Sequence, residues 1–182
     1  IIASIGVVPD SELAKNAGLK MSSKGAVEVD EYLKTSDSDI YAVGDVIEIK
    51  NAVTGQKALV PLAGPANKQG RTAADNILGR EEKYTGTVGT SIMKFFNMTA
   101  ASTGVNEKYL KKQNINYKSL FIIKVDHAGY YPGASDIHFK VLFEPQTGKI
   151  YGAQAVGEKG ADKKIDIMAA AILGNISIYK LK

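Results

Sequence analysis

The chain has 182 residues, a formal net charge of +4 and a hydrophobic content of 45%, which is ordinary for a globular protein. It contains no cysteine, so a disulfide framework, a thiolate metal site and thiol chemistry carried by this chain are excluded, and its two separated histidines predict no metal site. Its basic residues are scattered among acidic ones and no apolar run is long enough to span a membrane, so we expect no nucleic-acid partner, no membrane partner and a cytoplasmic location.

The first part of the chain is predicted to consist of short elements. Residues 1–9 form an apolar, strand-like stretch without an initiator methionine, so we expect a fragment of a longer protein. A short helix over residues 10–17 and a small hairpin over residues 19–29 follow. Residues 40–43 are apolar and lie between polar turn formers, which predicts a strand buried on both faces.

Gly44 and Asp45 come directly after this predicted strand. A glycine leaves room for close approach by a ligand or a backbone. The carboxylate of Asp45 only accepts hydrogen bonds and would lie at the carboxyl end of a strand, where open α/β sheets bind ligands, so it suits a polyol hydroxyl. The alternative interpretation is that the pair forms only a turn.

A helix is predicted from Pro65 to a stop at Gly79, after a turn over residues 53–56. Its N-terminus offers free N–H groups and partial positive charge, which favour an anionic group. Together with Asp45, such a helix end indicates a flavin with its ribityl chain. One face carries mostly small residues and is predicted to pack on the sheet: Ala66, Gly70, Ala73, Ala74, Ile77 and Leu78.

The second half is predicted to be a separate unit after a linker at residues 81–89. Apolar alternation predicts a half-buried strand over residues 138–144, and one apolar face predicts an amphipathic helix over residues 161–173. This mixture indicates an α+β unit. The strands are expected near residues 92–101, 117–125, 138–144 and 150–156, and the helices near residues 106–113 and 161–173.

Several segments resemble the pyridine nucleotide-disulfide oxidoreductases, and in particular the branch of NADH oxidases and coenzyme A-disulfide reductases. In the first half these are residues 1–9, 35–45 and 60–71, which include the run Gly-Pro-Ala-Asn. Residues 99–104, 152–157 and the run His-Ala-Gly-Tyr-Tyr-Pro-Gly-Ala at 127–134 are similar to the dimerisation domain of that branch.

The resemblance implies an α/β remnant of an FAD-binding domain followed by an α+β dimerisation domain. The first would span residues 1–89, with residues 1–9 as a strand returning from the NAD domain. The second would span residues 90–182 and be truncated at its C-terminus. A homodimer is therefore the expected assembly.

The resemblance also implies roles in binding FAD. Gly44 and Asp45 would contact the ribityl or adjacent phosphate region of the cofactor. The backbone around Leu62, Ala63 and Pro65 would approach the flavin ring, where a positive helix end stabilises negative charge on the reduced flavin.

The substrate side would involve Asn67, which resembles the position that contacts the coenzyme A moiety, and Arg71, whose charge could face its phosphates. The alternative is that both lie on a solvated first turn of a helix.

Tyr130 and Tyr131 are the candidate catalytic pair, because in this branch a tyrosine of the dimerisation domain reaches the partner subunit's active site and donates to the substrate thiolate. Adjacent strand residues point to opposite faces, so we expect only one to face the site and prefer Tyr130. Without the resemblance, both would be interpreted as interface packing. His127 is a possible proton donor, with a structural role as the preferred alternative.

The implied parent enzyme is an FAD-dependent disulfide oxidoreductase. NADH or NADPH would reduce the flavin, and the flavin would reduce a cysteine-based centre encoded upstream. That centre would then reduce coenzyme A disulfide, a related disulfide or a polysulfide. One alternative is an NADH oxidase that reduces oxygen, and another is a homodimerisation module alone.

The departures from the family pattern matter for this chain. It lacks the redox cysteine and both glycine-rich turns that would hold the FAD and nicotinamide pyrophosphates. We therefore expect the fragment to be inactive and to bind FAD poorly or not at all.

Overall fold

The computed structural model describes residues 6–181 and divides into two compact units. The first unit extends to Asn51 and then from Gly55 to Thr87, and the second contains Ala52–Thr54 and everything from Val88 onward. The strand predicted over residues 1–9 lies largely outside the described residues, and residues 6–9 have no regular secondary structure.

The described part of the first unit contains two helices, a short antiparallel ribbon and one 3-10 turn. In chain order these are α1 (Glu12–Asn16), the 3-10 turn Gly44–Val46, β1 (Ile49–Lys50), β2 (Lys57–Ala58) and α2 (Ala63–Ile77). The predicted helix near residues 10–17, the hairpin over 19–29 and the turn between β1 and β2 are confirmed, the hairpin by a bridge between Met21 and Val27.

Residues 40–43 do not form the predicted strand buried on both faces. Tyr41 makes one bridge, to Lys34, and Ile40 and Val43 are each 37% exposed. The backbone instead folds back on itself, with the N–H of Ala42 donating to the carbonyl of Leu33. The prediction was wrong because an apolar run becomes a doubly buried strand only where neighbouring strands cover it, and the described residues supply none here.

Helix α2 is confirmed, but the face that it buries is not the predicted one. Ile77 and Leu78 are 64% and 74% exposed, and Gly70 and Ala74 are exposed too. The buried residues are mostly polar: Gln69, Thr72, Ala73 and Asn76. The core of this unit gathers Val27, Leu33, Ile47, Ile49, Ala73 and Tyr84.

The second unit is a five-stranded antiparallel sheet with helices, which confirms the predicted α+β architecture. Its strands are β3 (Ser91–Phe95), β4 (Met98–Gly104), β5 (Lys118–Val125), β6 (Asp136–Phe143) and β7 (Ile150–Gly157). They lie in the order β3, β4, β7, β6, β5, and the helices are α3 (Glu107–Lys112), α4 (Ala161–Leu173) and a final 3-10 turn, Ile178–Lys180.

Small residues in the middle strands let α4 lie close to the sheet. Ala153 and Ala155 of β7 are at most 1% exposed, and they pack with Ile165 and Met168 of the helix. A second cluster forms where Leu110 of α3 meets Val105, Leu142, Val53 and Val88.

Strand β5 is an edge strand in which all eight residues are exposed. Five of them are large and apolar: Leu120, Phe121, Ile122, Ile123 and Val125. An apolar edge strand of this length is normally covered by another chain or element.

Candidate functional site

Gly44 has a φ of +84°, a left-handed conformation that glycine adopts at little cost, and it opens the 3-10 turn that carries Asp45. A Cβ at this position would lie 3.9 Å from the Cβ of Ala66, which is ordinary contact. The glycine is thus required by its backbone conformation. Close packing of the described residues does not require it.

A buried glutamine ties this turn to helix α2. The N–H of Gly44 donates to Oε1 of Gln69 at 2.6 Å, and Gln69 is only 1% exposed. The neighbouring Asp45 is exposed, and its carboxylate has no hydrogen bond or ion pair to any residue in the described part of the chain. The carboxylate is therefore available as an acceptor.

The N-terminus of α2 lies one turn before Ala66, so it belongs to the same part of the unit as Gly44. Leu62 precedes the helix in an extended conformation, and within the described residues no side chain caps the first turn, which includes Pro65. Ala63 and Gly64 are exposed. An uncapped helix start has unpaired N–H groups and a partial positive charge, which suit an anionic group.

Asn67 and Arg71 lie on the exposed side of α2, one turn apart. The side-chain amide of Asn67 donates to the carbonyl of Ala63 at 3.0 Å. Arg71 forms no ion pair with a described residue. Contact of either residue with coenzyme A stays a prediction.

Sequence reasoning missed Gln69 and Tyr84 as parts of this site. Tyr84 is 7% exposed and its hydroxyl lacks a hydrogen-bond partner among the described residues. Burial raises the pKa of Tyr84, and the nearby Gln69 side chain partly offsets this. The only sequence signal was a glutamine in a helix of small residues, which is uninformative without knowledge of its distant partner.

Tyr130 and Tyr131 lie in the loop 126–135 that joins β5 to β6, and they are 92% and 66% exposed. The expectation that strand alternation directs them to opposite faces is wrong, because they are not in a strand. Gly129, Pro132 and Gly133 surround them, and these residues favour a turn.

His127 contacts both the start of this loop and one of its tyrosines. Its Nδ1 lies 2.9 Å from Oδ2 of Asp126, and its ring meets the ring of Tyr131 edge-on at 5.9 Å. The hydrogen bond to Asp126 raises the pKa of His127. Two hydrogen bonds lower the pKa of Asp126. The larger effect comes from the backbone N–H of Ser135, and the next comes from the side chain of His127.

Within residues 6–181 no group of three or more potential ligand side chains could hold a metal ion. No helix in the same range is long and apolar enough to cross a membrane.

Comparison with known families decides the relationship. The model of the pyridine nucleotide-disulphide oxidoreductases matches residues 1–70, and the model of their dimerisation domain matches residues 90–181. The chain belongs to this family. The predicted combination of an FAD-domain part and a dimerisation domain is thereby confirmed.

Two curated relatives are similar along nearly the whole chain. The CoA-dependent NAD(P)H sulfur oxidoreductase of Pyrococcus abyssi is 35% identical over 97% of this chain and 40% of its own length. The coenzyme A disulfide reductase of Staphylococcus epidermidis is 36% identical over 100% of this chain and 41% of its own length. The chain therefore spans about two fifths of these relatives.

Solved structures agree with this relationship. The reduced Bacillus anthracis CoADR-RHD matches with a TM-score of 0.95 and 48% identity, over 98% of this chain and 32% of that one. The water-forming NADH oxidase from Lactobacillus brevis matches with a TM-score of 0.91 but only 26% identity, over 97% of this chain and 39% of that one.

Proposed function

We propose that this chain works within an FAD-dependent NAD(P)H:disulfide oxidoreductase whose acceptor is coenzyme A disulfide, a related disulfide or a polysulfide. The observation that carries the proposal is the hydrogen bond that ties the turn of Gly44 and Asp45 to Gln69 of α2, in a chain whose relatives include a CoA-dependent NAD(P)H sulfur oxidoreductase and a coenzyme A disulfide reductase.

The residues present fit FAD. Asp45 is an exposed acceptor, without a partner in the described residues, that suits a ribityl hydroxyl, and the backbone of Leu62, Ala63 and Pro65 forms a positive helix end that suits the ring. Bound FAD would supply hydride acceptance from NADH or NADPH and electron transfer to a disulfide. Gly44 would serve by holding Asp45 in place.

The substrate side is proposed to use side chains that the fold leaves exposed. Asn67 and Arg71 share one face of α2, where an amide and a guanidinium could bind the coenzyme A moiety. A tyrosine hydroxyl from the loop 126–135 would donate to a thiolate in the partner subunit, and Tyr130 is the more accessible of the two candidates.

The cofactor role is tested in the intact enzyme by Asp45→Asn, with Asp39→Asn as a matched control on an exposed aspartate of the same segment. The amide oxygen of asparagine still accepts, but a hydrogen bond to a neutral group contributes about 1 kcal/mol less than one to a charged group, so FAD affinity should fall roughly fivefold. Flavin absorbance after dialysis measures it. Equal FAD retention by the wild type and Asp45→Asn would contradict the role.

The acceptor is tested by steady-state assays of the intact enzyme with coenzyme A disulfide and with oxygen. We expect the disulfide to have the higher kcat/KM. A large preference for oxygen would favour the second candidate, an NADH oxidase, to which the Lactobacillus brevis structure is similar.

The 182-residue chain alone is proposed to be inactive and to bind little FAD, since it contains no cysteine and no glycine-rich pyrophosphate turn. A flavin spectrum at stoichiometric occupancy after purification of this chain would overturn that proposal.

The chain is also proposed to form a homodimer in which β5 is covered by a second copy. The support is the dimerisation-domain match and the exposure of five apolar residues along this edge strand. Light scattering on the chain should give a dimer, and Phe121→Asp should shift it to monomer. Ile77→Asp, at an equally exposed apolar residue of α2, should leave the dimer intact.

A further inference from the structure

The loop 126–135 is closed at its base by two hydrogen bonds between Asp126 and Ser135, one between backbone groups and one to the carboxylate of Asp126. The N–H of Asp126 donates to the carbonyl of Ser135 at 2.9 Å, and the N–H of Ser135 donates to Oδ1 of Asp126 at 2.8 Å. One carboxylate oxygen therefore holds the end of the loop. The other oxygen, Oδ2, is left for His127.

His127 connects that base to the tip of the loop. Because a carboxylate only accepts, its contact with Nδ1 at 2.9 Å requires the proton on Nδ1. Nε2 is buried without a well-oriented partner in the described chain, and the nearby backbone of Tyr131 and Pro132 favours the charged ring. The ring of Tyr131 packs edge-on against the imidazole. His127 is therefore fixed from two sides.

A third element supports Asp126. Gly160, the residue that precedes α4, packs against it: a Cβ at Gly160 would lie 3.6 Å from the Cβ of Asp126. The start of a helix of 13 residues carries a partial positive charge, which favours the ionised carboxylate. The side chain of Asp126 is only 9% exposed.

We propose that Asp126 and His127 are positioning residues that hold the loop 126–135 in one conformation and so present Tyr130 at its exposed tip. The two residues act through the loop and touch no reacting atom. Their importance for activity rests on the proposed role of the tyrosines, but their effect on the loop does not.

The test uses the 182-residue chain and two nearly isosteric substitutions. His127→Asn keeps an N–H close to the position of Nδ1, whereas His127→Gln places its N–H near the position of Nε2. Limited chymotrypsin digestion reports on the loop, because the bond between Tyr130 and Tyr131 can be cut while the bond before Pro132 resists. Mass spectrometry identifies the cut.

We expect His127→Gln to be cut about tenfold faster at Tyr130, because one charge-assisted hydrogen bond that keeps the loop closed is lost. His127→Asn should be cut more slowly than His127→Gln, because it keeps an N–H donor close to the carboxylate of Asp126. Ser135→Ala is the matched control, since it removes a buried hydroxyl that has no hydrogen-bond partner among the described residues and leaves both hydrogen bonds with Asp126. If His127 only filled space, the larger glutamine would replace it better than asparagine. Equal cutting rates for His127→Asn and His127→Gln, or faster cutting of His127→Asn, therefore overturn the proposal.

A measurement on the wild-type chain avoids any problem of variant folding. Nitrogen-15 NMR of the His127 ring should show a protonated Nδ1, and an unprotonated Nδ1 at neutral pH overturns the proposal. In the intact enzyme, His127→Gln should lower kcat for disulfide reduction with little change in KM. If the enzyme prefers another acceptor, the proposed function fails while the digestion and NMR results still decide the role of His127.

Discussion

The N–H of Gly44 donates to the side chain of Gln69, which lies 25 positions further along the chain and is almost completely buried. Gly44 itself is held in a left-handed conformation that this acceptor helps to fix. The contact sets where Asp45 lies relative to α2. The geometry of the proposed cofactor site therefore depends on a residue that need not touch the cofactor.

Gln69→Leu should destabilise the chain by about 1–3 kcal/mol, because it leaves a partly buried N–H of Gly44 without its acceptor. Urea denaturation followed by circular dichroism measures the change. Lys68→Leu, at the exposed neighbouring position of the same helix, should change stability by less than about 0.5 kcal/mol. A Gln69→Leu protein as stable as the wild type would mean that this hydrogen bond does not hold the turn.

Gly86 should tolerate alanine much less well than Gly55. Both glycines have a positive φ, so alanine costs about 1–2 kcal/mol of backbone strain at either position. At Gly86, a Cβ would also lie 2.1 Å from the carbonyl oxygen of Lys50, whereas nothing lies within 4 Å at Gly55. We expect Gly86→Ala to cost about 1–3 kcal/mol more than Gly55→Ala in urea denaturation. Equal losses would contradict the close packing of Gly86 on β1.

Most elements of the second unit could be predicted from the sequence, as for β6, whose apolar and polar residues alternate, and α4, which has one apolar face. The segment near residues 92–101, expected as one strand, instead forms parts of two strands, β3 and β4. The buried face of α2 could not be predicted from the sequence. Its buried Asn76 donates to the carbonyls of Tyr32 and Glu82 and accepts from the N–H of Glu82, and apolar periodicity contains no information on such partners.

The candidate site likewise has some residues that the sequence predicts and others that it does not. Gly44, Asp45 and the start of α2 were recognisable from turn and helix signals, and the structure brings Gly44 against the helix. The roles of Gln69 and of Asp126 depend on contacts that only the folded chain defines. The loop position of Tyr130 is recognisable from its neighbouring glycines and proline, which favour a turn over a strand.

Glu107 should make stability depend on pH at both ends of the scale. Its carboxylate pairs with Lys140, which chiefly lowers the pKa of Glu107 to about 2, and it accepts from the hydroxyl of Tyr117 at 2.6 Å, which raises the pKa of Tyr117 to about 12. The carboxylate contributes stability above its usual pKa of 4.5 that is lost as pH falls toward about 2. The stability that the protonated hydroxyl of Tyr117 contributes through its hydrogen bond is lost as pH rises from 10 toward about 12.

Glu107→Gln should therefore be less stable than the wild type between these limits, and the difference should shrink at both extremes. Urea denaturation across the pH range measures the difference. Glu158→Gln, at an exposed carboxylate with no ion pair in the described residues, is the matched control for the change of charge. A constant difference for Glu107→Gln would show that the three groups do not titrate together.

Asp126→Asn should lower the pKa of His127, because the hydrogen bond to the carboxylate is the main cause of its elevation above 6.5. Because the pKa of His127 is raised in the folded protein, the charged ring stabilises the fold at pH values below its usual pKa of 6.5. That contribution is lost as pH rises through the pKa that His127 has in the folded protein. The wild-type loop should thus be cut faster by chymotrypsin, relative to other sites, as pH rises through this value. In Asp126→Asn that rise in the cutting rate should begin at lower pH.

Proton NMR of the histidine rings measures the titration of His127 directly. The ring of His138, which packs on Phe121, is an internal reference whose signals should stay unchanged by the substitution. A His127 titration that is the same in both proteins would contradict the pairing with Asp126.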